Sequence, residues 1–327
     1  MRSIRVRTSK VAALTLVGAL AAGCALGTDP TAANKTAAPG SLAKAASLKG
    51  THVTVGSKEF TEQLILCEIT AQALESAGAT VSRKCGLSGS NTTRKALTSG
   101  NIDMYWEYTG TAWISYLKHT KPVAGADKQY DAVAEEDAAK NQIVWLDRAP
   151  FNNAYAIATA GKVSRQRGIT TLSQYAKLAK SDPGAASLCV NGEFSTRDDG
   201  LPGVQKAYGF KLPSSSVKTL EEGAIYNAIG KSDPCNFGMV ATTDGRIPGL
   251  KLIVLKDDKN FFPLYNPAVT INKKVLDAHP GIAKVLNPVA HALNTDLMQR
   301  LNAEVDIKGM RPPETARTWL KSKNFIA

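Results

Sequence analysis

Residues 51–79 read "THVTVGSKEFTEQLILCEITAQALESAGA". The first part alternates apolar and polar side chains and stops at Gly56-Ser57, as a short strand does. From Thr61 the apolar residues fall at helical spacing through Leu64, Ile65, Ile69 and Ala73, and Gly78 ends the run. Ser57 or Thr61 is the expected cap. A second strand follows in "TVSRKCGL" (80–87), then a turn and short helix in 88–102, then a third strand in "IDMYWEY" (102–108). This alternation implies an α/β protein whose first three strands are parallel, with helices on both faces.

Ligands of such sheets bind at the carboxyl ends of the strands. Three loops converge there: "GSKEFTE" (56–62), "LSGSNTT" (87–93) and "YWEYTGT" (105–111). The helix after "GSK" starts with unpaired N–H groups, so an anionic group is expected to be favoured at that end. Within "DMYWEYTGT" (103–111), strand alternation puts Trp106 and Tyr108 on one side and Tyr105 on the other. Tyr108 lies where the strand ends, so it is read as a ligand contact. Tyr105 and Trp106 are read as packing.

Working outward toward the N-terminus, "MRSIRVRTSK" carries Arg2, Arg5, Arg7 and Lys10 without an acid, and an apolar run of about a dozen residues follows. Residues 1–23 are expected to be a signal peptide. Cys24 after "LAAG" resembles a bacterial lipidation site, although position −3 is Ala21. Residues 24–50, rich in Ala, Thr, Ser, Gly and Pro, are expected to form a flexible, lipid-anchored tether. The formal charge of the whole chain is +12, about +8 without the signal's four basic residues. These charges are scattered rather than clustered, which argues against nucleic acid as a partner.

Four further cysteines, Cys67, Cys85, Cys189 and Cys235, argue for disulfides in an exported chain. Three pairings are possible. Cys67–Cys85 with Cys189–Cys235 is favoured because each then stays within one expected lobe. No CxxC occurs, and the four histidines lie far from the cysteines and from one another, so neither a metal nor a cofactor is expected.

Beyond the third strand, a polar helix (127–142) leads into "IVWLDRAPFNNAYAIATAGK" (143–162), read as a crossing to a second lobe. Strands are expected in 187–194 and 235–247, and helices in 201–210 and 220–233. The segment 250–276 is read as the return crossing, followed by C-terminal helices. The expected division is lobe one from 51–149 and 254–327, and lobe two from 150–253. Two strands between two lobes suit hinge closure on a ligand.

Five motifs in this order, "VGSKEFTEQLIL" (55–66), "YWEYTGT", "RDDGLPGVQKAYGF" (197–210), "TTDGRI" (242–247) and "LKDDKNFFPLYNPA" (255–268), resemble the substrate-binding proteins of ABC importers for glycine betaine, choline and carnitine. The resemblance covers nearly all of residues 51–325. It implies the periplasmic-binding-protein type II fold, with two α/β lobes on a two-stranded hinge. It also implies a tyrosine cage for a quaternary ammonium, which offers no N–H and is read through aromatic faces.

Matched position by position, the resemblance assigns Tyr108, Tyr155 and Tyr265 to the cage, with Asn153 near the methyl groups. It assigns Lys58, Thr111 and Arg197 to the ligand's carboxylate. Where many relatives have an aromatic before "TTDG", this chain has Ala241. Phe194 or Tyr226 is a candidate to fill that gap, or the gap admits a bulkier ligand. A non-enzymatic, monomeric binding protein is expected, serving ABC permease subunits on the extracytoplasmic face of the membrane. Lys58 and Arg197 lean the reading toward betaines. A choline- or carnitine-preferring binder, and a ligand-sensing lipoprotein not coupled to transport, remain as alternatives.

Overall fold

The computed structural model describes residues 37–327. The signal segment, Cys24 and the first part of the expected tether lie outside the described residues.

The first sheet has the order β2-β1-β3-β10-β4. It is built from β1 (His52–Lys58), β2 (Thr80–Leu87), β3 (Met104–Tyr108), β4 (Ile143–Arg148) and β10 (Pro267–Asn272). As expected, β1 pairs in parallel with β2 and β3. The sheet is mixed because the returning strand β10 runs antiparallel to both β3 and β4. The second sheet, β7-β6-β8-β5-β9, repeats this plan. It contains β5 (Tyr155–Ala160), β6 (Leu188–Val190), β7 (Val217–Thr219), β8 (Phe237–Ala241) and β9 (Leu252–Val254). Here β6 is parallel to β7 and β8, and β5 is antiparallel to β8 and β9.

Each sheet has its own apolar core. In lobe one, the helix Thr61–Ser76 is buried nearly all round, with Ile65, Leu66 and Ile69 against Val55, Met104 and Trp106. In lobe two, Ile157, Leu188 and Phe237 pack with Ile225 and Ile229. Two crossing segments join the lobes, one between β4 and β5 and one between β9 and β10. They are laced together: the amide of Ala149 donates to Pro267 O at 2.8 Å, that of Asn153 to Tyr265 O at 3.1 Å, and that of Tyr265 to Asn152 Oδ1 at 2.7 Å. Both disulfides occur as favoured, Cys67–Cys85 in lobe one and Cys189–Cys235 in lobe two.

Two expectations change. Residues 37–50 are not a free tether. Ala37, Leu42 and Leu48 are buried in the lobe-one core, and the backbone pairs with the chain's far end through Ser41 N to Asn324 O at 2.9 Å and Ala327 N to Ala38 O at 3.1 Å. Three irregularly spaced apolar residues anchor this segment, and no periodic pattern announces them. The helix at Thr61 is capped by neither Ser57 nor Thr61. Phe60 takes the cap position without a side-chain bond, the Thr61 hydroxyl donates to Asp306 at 2.7 Å, and Ser57 Oγ donates to Lys58 O at 2.9 Å.

Candidate functional site

A cleft of about 830 Å³ lies between the lobes. The carboxyl ends of β1 and β3, the first crossing segment and the end of β8 all open into it. Of the sequence-predicted residues, it brings together Lys58, Tyr108, Thr111, Asn153, Tyr155 and Tyr265. The Tyr155 and Tyr265 rings meet edge to face at 5.5 Å. Phe60, which the sequence reading missed, lines the cleft and stacks on Tyr108 at 6.2 Å. Burial holds the phenols of Tyr108, Tyr155 and Tyr265 well above the usual tyrosine range, so all three are neutral rings.

Tyr105 and Trp106 pack as expected. Trp106 faces the helix Thr61–Ser76 and donates from Nε1 to Thr70 Oγ1 at 2.8 Å. Tyr105 lies on the opposite face among Leu97, Ile102 and Ile143. The position of Ala241 is not filled by either expected neighbour. Tyr226 is buried behind β8, where its hydroxyl accepts the Ala241 amide at 3.0 Å. Phe194 is buried edge-on to Tyr155 at 5.1 Å. Neither is among the residues lining the cleft.

The two cations expected to hold a ligand carboxylate are engaged with the protein's own acids. Lys58, 3% exposed, donates to Glu107 Oε1 at 2.7 Å. Glu107 is fully buried and needs this counter-charge; it also accepts from the hydroxyls of Tyr105 at 2.6 Å and Tyr116 at 2.8 Å. Arg197 stands behind the cleft wall. It donates to Asp199 Oδ1 at 2.7 Å and to Glu193 Oε1 at 2.6 Å, and reaches Thr111 Oγ1 at 3.4 Å. Each cation also lies over a tyrosine ring of the cleft wall, Lys58 over Tyr108 at 5.2 Å and Arg197 over Tyr155 at 5.4 Å.

Carboxylates occupy the helix starts that face the cleft. Glu62, Glu193 and Glu222 each sit in a first turn, where the positive end of the helix favours them. The expected attraction of the first of these helices for a ligand anion is therefore met from within, by Glu62. This residue accepts from Tyr108 Oη at 2.7 Å, Asn153 Nδ2 at 2.9 Å, Asn302 Nδ2 at 3.3 Å and the Thr243 hydroxyl. Burial raises its pKa, and these neutral donors offset only part of that. Glu193 differs: burial works against its charge, but Lys58, Arg197 and the Ser90 donors hold it down at about 2. None of these acids was singled out from the sequence. The available signal was an acid at the start of a helix that follows a strand of the sheet.

Two α/β lobes on a double crossing, closing over a tyrosine-walled cleft, define a solute-binding protein of the periplasmic type II kind. The chain belongs to the substrate-binding domain family of ABC-type glycine betaine transport systems, whose family model matches residues 51–322. It is 37% identical over 290 residues to the glycine-betaine-binding protein of Pseudomonas aeruginosa, covering 87% of this chain and 90% of the relative. It is 34% identical over 279 residues to the glycine betaine-binding protein YehZ of Escherichia coli, covering 84% of this chain and 91% of the relative. The solved structure of unliganded YehZ superposes with a TM-score of 0.63 over 84% of this chain and all of that one. A solved glycine betaine/carnitine/choline ABC transporter structure superposes at 0.68, with 27% identity, over 84% of this chain and 99% of that one.

Proposed function

We propose that the protein captures a quaternary amine between its lobes and delivers it, as a monomer, to ABC permease subunits in the membrane. The observation that carries this reading is the convergence of Tyr108, Tyr155 and Tyr265 on a cleft that also holds the Glu62 carboxylate. A quaternary ammonium cannot donate an N–H bond. It gains instead from aromatic faces, by about 0.5–2 kcal/mol per contact, and from a nearby negative charge. Asn153 and Thr111 complete this wall. The N-terminal segment supports an extracytoplasmic location, held to the membrane through a lipid on Cys24. The protein is read as a binding component, not an enzyme, in keeping with the relatives named above.

Titration calorimetry tests the reading with glycine betaine, choline, carnitine and proline betaine, against sugars and short peptides. Binding of at least one quaternary amine is expected. Binding confined to sugars or peptides would overturn it.

A further inference from the structure

Ala241 and Glu222 both line the cleft from lobe two. Ala241 closes β8 opposite Tyr155 of β5 and contributes only a methyl group to the wall. Beyond it lies the helix Glu222–Lys231, which carries Tyr226 behind the strand and Glu222 at the cleft. Glu222 accepts a hydrogen bond from Asn191 Nδ2 at 2.9 Å. Asn191 in turn accepts the Phe194 amide at 2.7 Å, and Phe194 packs on Tyr155. The carboxylate is therefore joined to the tyrosine wall through one amide side chain and one ring.

The cations around it are engaged elsewhere: Lys58 with Glu107, Arg197 with Glu193 and Asp199, and Arg246 with Asp244 and Asp306. None of the three pairs with Glu222. A carboxylate has about four acceptor sites, and the Asn191 amide occupies one. Burial and the neighbouring Asp244 push the Glu222 pKa up to about 7, which the nearby Arg246 and the Asn191 bond offset only in part.

We propose that Glu222 and Asn191 form a second subsite, reached past Ala241, that takes a hydrogen-bond donor on the far end of the ligand. The cleft then selects quaternary ammonium cations bearing a hydroxyl or N–H over those bearing a carboxylate. This rests on the quaternary-amine reading above. A ligand carboxylate would add negative charge beside Glu222 and Asp244, where Arg246 already serves Asp244 and Asp306, while both cations expected to receive it hold protein acids.

Choline and glycine betaine share the trimethylammonium group and differ at the far end, hydroxyl against carboxylate. Calorimetry with both, on the wild type and on Glu222→Gln, is the test. The wild type is expected to bind choline at least about tenfold tighter than glycine betaine, and Glu222→Gln to narrow that ratio to about threefold or less. Ala241→Phe, which fills the passage without touching the carboxylate, is expected to narrow it as well. Wild-type binding of glycine betaine as tight as that of choline would overturn the proposal, as would an unchanged ratio in a folded Glu222→Gln. The wild-type comparison decides even if the variants fail to fold. Binding of neither choline nor glycine betaine would overturn this proposal, and the quaternary-amine reading falls with it only if carnitine and proline betaine also fail to bind.

Discussion

Tyr108 is held at both ends: its backbone ends β3, and its hydroxyl donates to Glu62 while accepting from Gln63 Nε2 at 3.2 Å. The ring is what a cation would read, and the hydroxyl is what keeps the ring still. Replacing Tyr108 by Ala is expected to weaken quaternary-amine binding by about 1–3 kcal/mol. Tyr108→Phe, which keeps the face, should retain most of the affinity. Calorimetry separates the two, and equal losses in both variants would assign the effect to the hydroxyl. That the tyrosines, Thr111 and Asn153 line the cleft was legible because each sits in a motif at a strand end or crossing. What Lys58 and Arg197 are free to do was not legible. Lys58 meets an acid 49 residues away, and only folding shows that this acid is fully buried and takes up the charge.

At the scale of the element, Gly110 shows how closely the turn after β3 packs on the return crossing. A Cβ there would lie 2.8 Å from the Tyr265 ring and 2.9 Å from Leu264 O. Gly110→Ala is therefore expected to push Tyr265 out of place, costing about 1–3 kcal/mol of stability and lowering ligand affinity together. Urea unfolding and calorimetry on one preparation check both, and unchanged affinity would remove Tyr265 from the wall. The disulfides make a second test. Their sequence separations are 18 and 46, so chain entropy predicts about 3 kcal/mol for Cys67–Cys85 and about 4 kcal/mol for Cys189–Cys235. Paired Cys→Ser variants should show that order in denaturant unfolding. Strand and helix order and both crossings could be read from periodicity and turn residues, and the two pairings were favoured because each stays within one expected lobe. The antiparallel return of β10 could not, because strand direction depends on which edge the chain re-enters. Nor could the docking of residues 37–50, whose three apolar anchors repeat at no helical or strand period.

For the whole molecule, acids of opposite behaviour set the response to pH. Burial raises Glu62 and Glu222, the latter to about 7 from an ordinary 4.5. The folded state therefore holds their protons more tightly than the unfolded chain does. For Glu222 that contribution to stability is complete below about pH 4.5 and is lost as pH rises through 7. Glu193, held at about 2, acts the other way, and its contribution is lost only as pH falls from about 4.5 toward 2. Between pH 5 and 8 the wild type should lose melting temperature more steeply than Glu222→Gln. Equal slopes would place Glu222 in water rather than against the cleft wall.

The same acids tie the lobes together. Glu193 of lobe two accepts the Ser90 amide at 3.0 Å and the Ser90 hydroxyl at 2.6 Å from lobe one. Tyr265, on the return crossing, donates to Asp199 of lobe two at 2.7 Å. Bonds that bridge the two lobes favour arrangements in which the cleft is closed, so affinity includes their strength. Ser90→Ala removes one of the two bonds to a charged acceptor and leaves the tyrosine wall untouched. It should open the unliganded protein, seen as a larger radius of gyration in X-ray scattering, and weaken ligand binding by about 1–3 kcal/mol. Scattering that stays the same while affinity falls would move Ser90 from closure to ligand contact. If neither changes, the Ser90–Glu193 bond contributes nothing to holding the lobes together.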